Sequence, residues 1–255
     1  MRTPLVAGNW KMHKTRTEAG AFVRAALPRL AEVGGVEVVL CPPYTALETV
    51  GRLLAGSGVK LGAQNLHWER QGAFTGEISA GMLVDVGCTY VLVGHSERRR
   101  LFGETDDRVR RKVCAAFDAG LVPIVCVGEL LEERQSGQTE ARVLAQLEAA
   151  TADLSTEEVG QLVVAYEPVW AIGTGHAATA EEAGRVNDLI REFLRGRFGA
   201  AAESTRVQYG GSVTRRNAAE FLRHPQVDGA LVGGASLDPE EFVDVVRAAV
   251  RGGAF

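Results

Sequence analysis

Short apolar runs alternate with amphipathic stretches along the whole chain. Eight runs of four to six residues lack helical spacing, which is typical of strands buried on both faces. They cover residues 5–10, 36–41, 59–64, 90–94, 122–127, 162–166, 206–209 and 229–232. Because helical stretches separate these runs, the pattern predicts parallel strands joined by helical crossovers.

Capping signals mark the starts of several predicted helices. A serine or threonine three residues before a glutamate lets both side chains satisfy free backbone N–H groups. A threonine directly before acidic residues, or an aspartate before a proline, is a second kind of start. These signals predict helices that begin after Thr15, Thr45, Thr105, Ser155, Thr179 and Asp238.

The number of strand–helix units decides between two α/β architectures. A doubly wound sheet is possible at this length, but eight regular units in 255 residues favour a closed (β/α)8 barrel of eight parallel strands. No linker or low-complexity segment interrupts the pattern. We therefore expect residues 1–255 to form a single barrel domain.

The chemically unusual residues follow the predicted strands. In a (β/α)8 barrel the carboxyl ends of the strands meet on one face, and the active site lies there. Strand ends lead into Asn9, Lys11, His95, Glu97, Glu167, Ser212, Gly233 and Gly234. Their shared placement predicts one site at this face.

Composition and charge narrow the class of partner. The chain is 46% hydrophobic with a net charge of −4, and its dense basic runs are short, as at residues 98–100. This argues against a general binder of nucleic acid or membrane surfaces, whereas a small anionic substrate needs only a local positive site. Three of the four widely spaced cysteines lie in apolar surroundings, which favours buried reduced thiols over disulfides or metal ligands. Without a signal-peptide pattern or a membrane-spanning run, we expect a cytoplasmic protein.

Glu167 ends a buried run and is followed at once by Pro168, which stops the strand. An apolar loop over residues 169–175 comes next. A carboxylate at a strand tip beneath a closing apolar loop is suited to act as a desolvated general base. A capping carboxylate beside an ordinary connection is the alternative.

Lys11 and His95 could supply the other functional groups of such a site. Lys11 directly follows a strand, and its ammonium suits an oxyanion or a phosphate, although a surface lysine is the alternative. A helix starting at Ser96 would disfavour a charged His95, which could then donate a hydrogen bond to a carbonyl; a structural histidine is the alternative. Glu97 could pair with Lys11 or with a nearby arginine.

Two glycine pairs, 210–211 and 233–234, follow the last two strands. Glycine allows backbone N–H groups to approach a phosphate closely, and barrels bind phosphate at these loops. The remaining histidines lack the spacing of a metal site, so we predict none. The loop over residues 65–79 carries Phe74 among glycines, and we expect a partner subunit to bury that ring.

Several motifs resemble the triosephosphate isomerase family in order and spacing over the whole chain. They are GNWKM (8–12), GAFTGEIS (72–79), GHSERR (94–99), AYEPVWAIGTG (165–175), YGGSV (209–213) and LVGGASL (231–237). The resemblance implies a TIM barrel that interconverts dihydroxyacetone phosphate and D-glyceraldehyde 3-phosphate without a cofactor. It also implies a homodimer in which the loop around Thr75 inserts beside the neighbour's Lys11.

The resemblance also implies a role for each site residue. Glu167 removes the proton, His95 polarises and moves protons between the two oxygens, and Lys11 stabilises the enediolate. Asn9 lines the site, and Glu97 hydrogen-bonds near Lys11. Backbone N–H groups hold the phosphate, and the lid over residues 168–178 is held shut by Tyr209 and Ser212. The phosphate-binding residues are Gly173, Ser212, Gly233 and Gly234.

Two departures from the family pattern are His13-Lys14, where Asn-Gly is common, and His176-Ala177-Ala178, where Lys-Thr-Ala is common. Neither removes a catalytic group, and we expect His176→Lys to change turnover by less than about tenfold. A Schiff-base aldolase is the nearest enzymatic alternative, and it would need Lys11 as its nucleophile. A non-catalytic barrel is another, but it would be expected to lack Lys11, His95 or Glu167.

Overall fold

Eight parallel strands close into one barrel in the computed structural model, which describes residues 2–172 and 178–251. Each strand pairs with its neighbours in the chain, and the last pairs with the first. The strands are β1 (Leu5–Asn9), β2 (Glu37–Cys41), β3 (Lys60–Ala63), β4 (Tyr90–Val93), β5 (Val122–Val127), β6 (Val163–Tyr166), β7 (Arg206–Tyr209) and β8 (Gly229–Val232). The predicted barrel is confirmed, and no strand end differs from its predicted position by more than one residue.

Helices cover the outside of the barrel between the strands. Their bounds are α1 (Arg16–Leu30), α2 (Leu47–Leu54), α3 (Ala80–Asp85), α4 (Ser96–Phe102), α5 (Asp106–Asp118), α6 (Leu131–Gln135), α7 (Thr139–Ala150), α8 (Thr156–Gln161), α9 (Ala180–Phe198), α10 (Ala218–Leu222) and α11 (Pro239–Ala248). Five predicted N-caps are confirmed by side-chain hydrogen bonds, namely Thr15, Thr105, Ser155, Thr179 and Asp238.

The predicted N-cap at Thr45 is wrong. A 3₁₀ turn (Tyr44–Ala46) comes first, and α2 begins at Leu47 without a side-chain cap. Pro43 is extended at φ −62° and ψ 155°, so the chain turns directly after it. Thr45 therefore lies inside that turn and not in front of the helix.

Apolar side chains fill both faces of the strands, which explains why the strand sequences are almost continuously apolar. One cluster fills the barrel interior and includes Ala7, Leu92, Ile124 and Ala165. The larger cluster packs the outer faces of the strands against the helices. The interior is thus a packed core, and ligands must bind at an end of the barrel.

The cysteines are free thiols, as predicted, and Cys41, Cys88 and Cys126 are buried. Burial raises the pKa of Cys88 to about 12. Within residues 2–172 and 178–251, no helix combines the length and the apolar character that crossing a bilayer demands.

Candidate active site

The carboxyl ends of the strands surround a cavity of about 270 Å³. The predicted residues that line it are Asn9, Lys11, His95, Glu167, Ser212, Gly233 and Gly234. Glu97 lies behind this lining and reaches the site through Lys11. Gly173 and the middle of the predicted lid, residues 173–177 with His176, lie outside the described residues.

Glu167 is buried at the tip of β6, with 2% of its surface exposed. The Ser96 N–H donates to Oε2 at 2.9 Å, and Oε1 lies 3.0 Å from His95 Nε2. Burial alone raises the pKa of this carboxyl, but His95, the Ser96 N–H and Lys11 together outweigh burial and lower it. The carboxylate is therefore ionised and directed into the cavity, as a general base requires.

Two glycines make room for Glu167. A Cβ on Gly128 would lie 1.7 Å from the Glu167 carbonyl oxygen, and one on Gly210 would lie 2.9 Å from its Cγ. Both distances are too short for any side chain. The ends of the neighbouring strands thus hold the backbone and the side chain of Glu167 from both sides.

His95 is the N-cap residue of α4. Its Nδ1 accepts a hydrogen bond from the Glu97 N–H at 3.2 Å, so the ring carries its proton on Nε2, facing Glu167. Burial disfavours the charged ring, as the helix start was expected to do, yet the Glu167 carboxylate outweighs burial and raises the pKa of His95. The direct contact with Glu167 is the feature that the sequence did not predict.

Lys11 also lines the cavity, and its backbone is in the left-handed region with φ 52°. Its N–H donates to Asn9 Oδ1 at 3.0 Å, and its carbonyl accepts from Gln64 Nε2 at 2.8 Å. Its Nζ lies 2.6 Å from Glu97 Oε1, so of the two partners considered for Glu97 the structure gives Lys11. The pair fixes a positive charge at the edge of the cavity.

The ends of β7 and β8 form the other side of the cavity. Gly233 and Gly234 begin a 3₁₀ turn (Gly234–Leu237). A Cβ on Gly233 would lie 3.8 Å from Lys11 Nζ, so this backbone and the ammonium face the same space. Ser212 donates from Oγ to the Ala171 carbonyl at 2.7 Å. Backbone donors beside an ammonium make a suitable site for an anion.

Sequence reasoning missed Glu129, which is fully buried after β5. Glu129 accepts hydrogen bonds from Trp170 Nε1 at 2.8 Å and from the Tyr166 hydroxyl at 3.1 Å. It therefore anchors the start of the loop that follows Glu167. The sequence carried a signal, because Glu129 follows the end of β5 by two positions, the same offset that Lys11 has from β1 and His95 from β4.

Comparisons with known proteins agree with this geometry. The family model described as triosephosphate isomerase matches residues 4–249. A triosephosphate isomerase from Carboxydothermus hydrogenoformans is 52% identical over 98% of this chain and 100% of its own length. One from Symbiobacterium thermophilum is 53% identical over 98% of both chains.

A solved structure is also similar. The crystal structure of triosephosphate isomerase from Bartonella henselae superposes with a TM-score of 0.89 at 39% identity, covering 96% of this chain and 98% of that one. The family model matches residues 4–249, and two relatives are 52% and 53% identical to this chain. The chain therefore belongs to the triosephosphate isomerase family.

Proposed function

We propose that this chain interconverts dihydroxyacetone phosphate and D-glyceraldehyde 3-phosphate without a cofactor, as a cytoplasmic enzyme with one barrel domain over residues 1–255. Membership of the family supports the reaction. The observation that carries the mechanism is the buried carboxylate of Glu167 in hydrogen-bond contact with His95, with the Lys11 ammonium in the same cavity.

Glu167 removes a proton from the carbon beside the substrate carbonyl and returns it to the neighbouring carbon. The Nε2–H of His95 donates to the carbonyl oxygen and then moves protons between the two oxygens. The Lys11 ammonium, held by Glu97 at 2.6 Å, stabilises the negative charge of the enediolate. Substrate binding must separate Glu167 from His95, because Glu167 then contacts a substrate carbon and His95 contacts the substrate oxygens.

The phosphate end of the substrate binds between Lys11 and the backbone N–H groups of Ser212, Gly233 and Gly234. Gly173, outside the described residues, would contribute a further N–H as part of the lid over 168–178. Lid closure, held by Tyr209 and Ser212, would exclude water and keep the enediolate from losing its phosphate.

A homodimer formed through the loop over 65–79 completes the proposal. At the neck of this loop the His67 N–H donates a hydrogen bond to the Ile78 carbonyl at 2.8 Å. The centroids of the Phe74 and His67 rings are 4.4 Å apart. Even so, 42% of Phe74 is exposed, and Phe102 and Met12 are exposed by 63% and 94%. Large exposed apolar side chains such as these are found in protein interfaces.

The test is isomerisation of glyceraldehyde 3-phosphate, followed through a coupled NADH assay, for wild type beside Glu167→Gln. Glutamine keeps the shape but cannot take a proton, so we expect a loss of about three orders of magnitude or more in kcat. A Glu167→Gln variant of wild-type activity would refute the base. A wild type that binds the substrate without turning it over would show that the chain is a non-catalytic binding protein. A borohydride-stable adduct would identify Lys11 as an aldolase nucleophile.

A further inference from the structure

Lys14 carries an unexpected backbone conformation. Among the described residues, only Lys11 and Lys14 are non-glycine residues with a left-handed backbone, and Lys14 has φ 75°. For a residue with a Cβ this conformation costs free energy and persists only where other contacts hold it. The side chain of Lys14 supplies such contacts.

The Lys14 ammonium packs over two aromatic rings of the core. Its Nζ lies 5.6 Å from the centre of the Trp10 ring and 5.1 Å from that of Phe22. These two rings are buried and pack edge to face, with centroids 4.8 Å apart. Cation–π contact therefore holds the ammonium against two core rings, one directly after β1 and one in α1.

The same ammonium reaches the segment after β8. Nζ donates a hydrogen bond to the Leu237 carbonyl at 2.8 Å. Leu237 is the last residue of the 3₁₀ turn that begins at Gly234. Within this turn Ser236 is bonded back to Gly233 by its N–H at 2.8 Å and by its Oγ at 2.7 Å, so the turn is a rigid unit.

We propose that Lys14 is a positioning residue for phosphate binding. It ties the segment that carries Lys11 to the turn that carries Gly233 and Gly234, and so fixes the spacing between the ammonium and the backbone donors. Lys14 does not touch the phosphate itself; it acts through the positions of Lys11, Gly233 and Gly234. The inference rests on the proposed phosphate site and adds a residue to its support.

The test compares Lys14→Met, which keeps the apolar stem but loses the donor and the charge, with Lys14→Arg, which keeps both. Kinetic constants for the triose phosphates are measured together with competitive inhibition by inorganic phosphate, which reports on the phosphate site alone. We expect Lys14→Met to raise KM and the phosphate inhibition constant about three- to tenfold, with kcat within about twofold. Lys14→Arg should recover at least half of that loss.

Arg16→Met is the matched control, because Arg16 is exposed at the start of α1 and its replacement also removes one positive charge. We expect it to leave both constants unchanged. Lys14→Gly is a second variant that relieves the left-handed strain, so it should weaken phosphate binding as Lys14→Met does while losing less thermal stability.

Two results would overturn the role of Lys14. One is a Lys14→Met protein with a lowered Tm but unchanged KM and phosphate inhibition, which would make the contact purely structural. The other is an equal effect of Arg16→Met, which would assign the effect to net charge. If phosphate does not inhibit the wild type competitively, the phosphate site itself is wrong, and that failure is seen before any variant is made.

Discussion

At the scale of single residues, opposing influences set the charge of Glu167. Burial acts to protonate it, and the contacts from His95, the Ser96 N–H and Lys11 act to ionise it. Ionisation prevails, so the pKa is lowered and the proposed base stays active as the pH falls until that lowered pKa is reached. His95 is the largest of the contributions that lower it.

Replacing His95 should therefore shift the pH profile. In His95→Gln the contact from the imidazole is lost and burial remains, so the pKa of Glu167 rises and the acid limb of kcat/KM moves to higher pH. The measurement is kcat/KM against pH for the residual activity of the variant and for the wild type. An acid limb at the wild-type position would show that His95 does not control the ionisation of Glu167.

The reactive side chains could be predicted from the sequence, whereas their backbone partners could not. Lys11, His95 and Glu167 each follow a predicted strand, and a barrel brings strand ends together. Gly128 and the Ser96 N–H act through a missing Cβ and a backbone donor. Side-chain chemistry in a sequence does not reveal such roles, because every residue except proline has a backbone N–H and glycines also mark ordinary turns.

At the scale of elements, the ends of β5 and β6 are packed too closely for a side chain between them. The 1.7 Å from a Cβ on Gly128 to the Glu167 carbonyl oxygen can be relieved only by moving one of the two backbones. Glu167 also donates its N–H to the Val127 carbonyl at 2.7 Å, so moving the chain strains this ladder. The position of the proposed base is therefore set by its neighbouring strand.

Gly128→Ala should reduce both turnover and stability. Displacing Glu167 from its working position should lower kcat by about a hundredfold, and the overpacking should cost about 1–3 kcal/mol of unfolding free energy. Gly58→Ala is the control, since a Cβ there meets nothing within 4 Å. The measurements are kcat and thermal unfolding for both variants. A fully active Gly128→Ala protein would show that the packing at Gly128 does not position Glu167.

The elements themselves could be predicted because their signals are local. A buried strand needs a short apolar run, and the N-cap threonines lie beside the N–H groups that they accept from. The failure at Thr45 has a local cause as well, because Pro43 moved the turn forward by fixing the preceding backbone.

At the scale of the whole molecule, contacts between distant parts of the chain close the barrel. Asp228 is fully buried just before β8, where Arg2 donates to it at 2.9 Å and Arg191 of α9 pairs with it. These partners are 226 and 37 residues away. No local pattern indicates such pairs, so the sequence predicted the barrel but not the ion pairs that join Asp228 to the segment before β1 and to α9.

The proposed homodimer is the largest prediction at this scale. Tyr44 donates to the Asn65 carbonyl at 2.6 Å, and Asn65 accepts from Lys112, which is paired with Glu104. The neck of the loop over 65–79 is therefore fixed by buried polar contacts even though its tip exposes Phe74. Such order at a loop with an exposed apolar tip is expected where the tip enters a second subunit.

Phe74→Asp should break this dimer, because it places a charge where the partner would bury a ring. Sedimentation should give the wild type twice the 27.2 kDa of one chain and the variant a single chain. Leu131→Asp is the control, since Leu131 is 47% exposed on α6, outside the loop, and should leave the dimer intact. If the loop supports the neighbour's Lys11, kcat/KM of the monomeric variant also falls by about tenfold or more. A wild type that sediments as one chain at full activity would show that each barrel completes its own site.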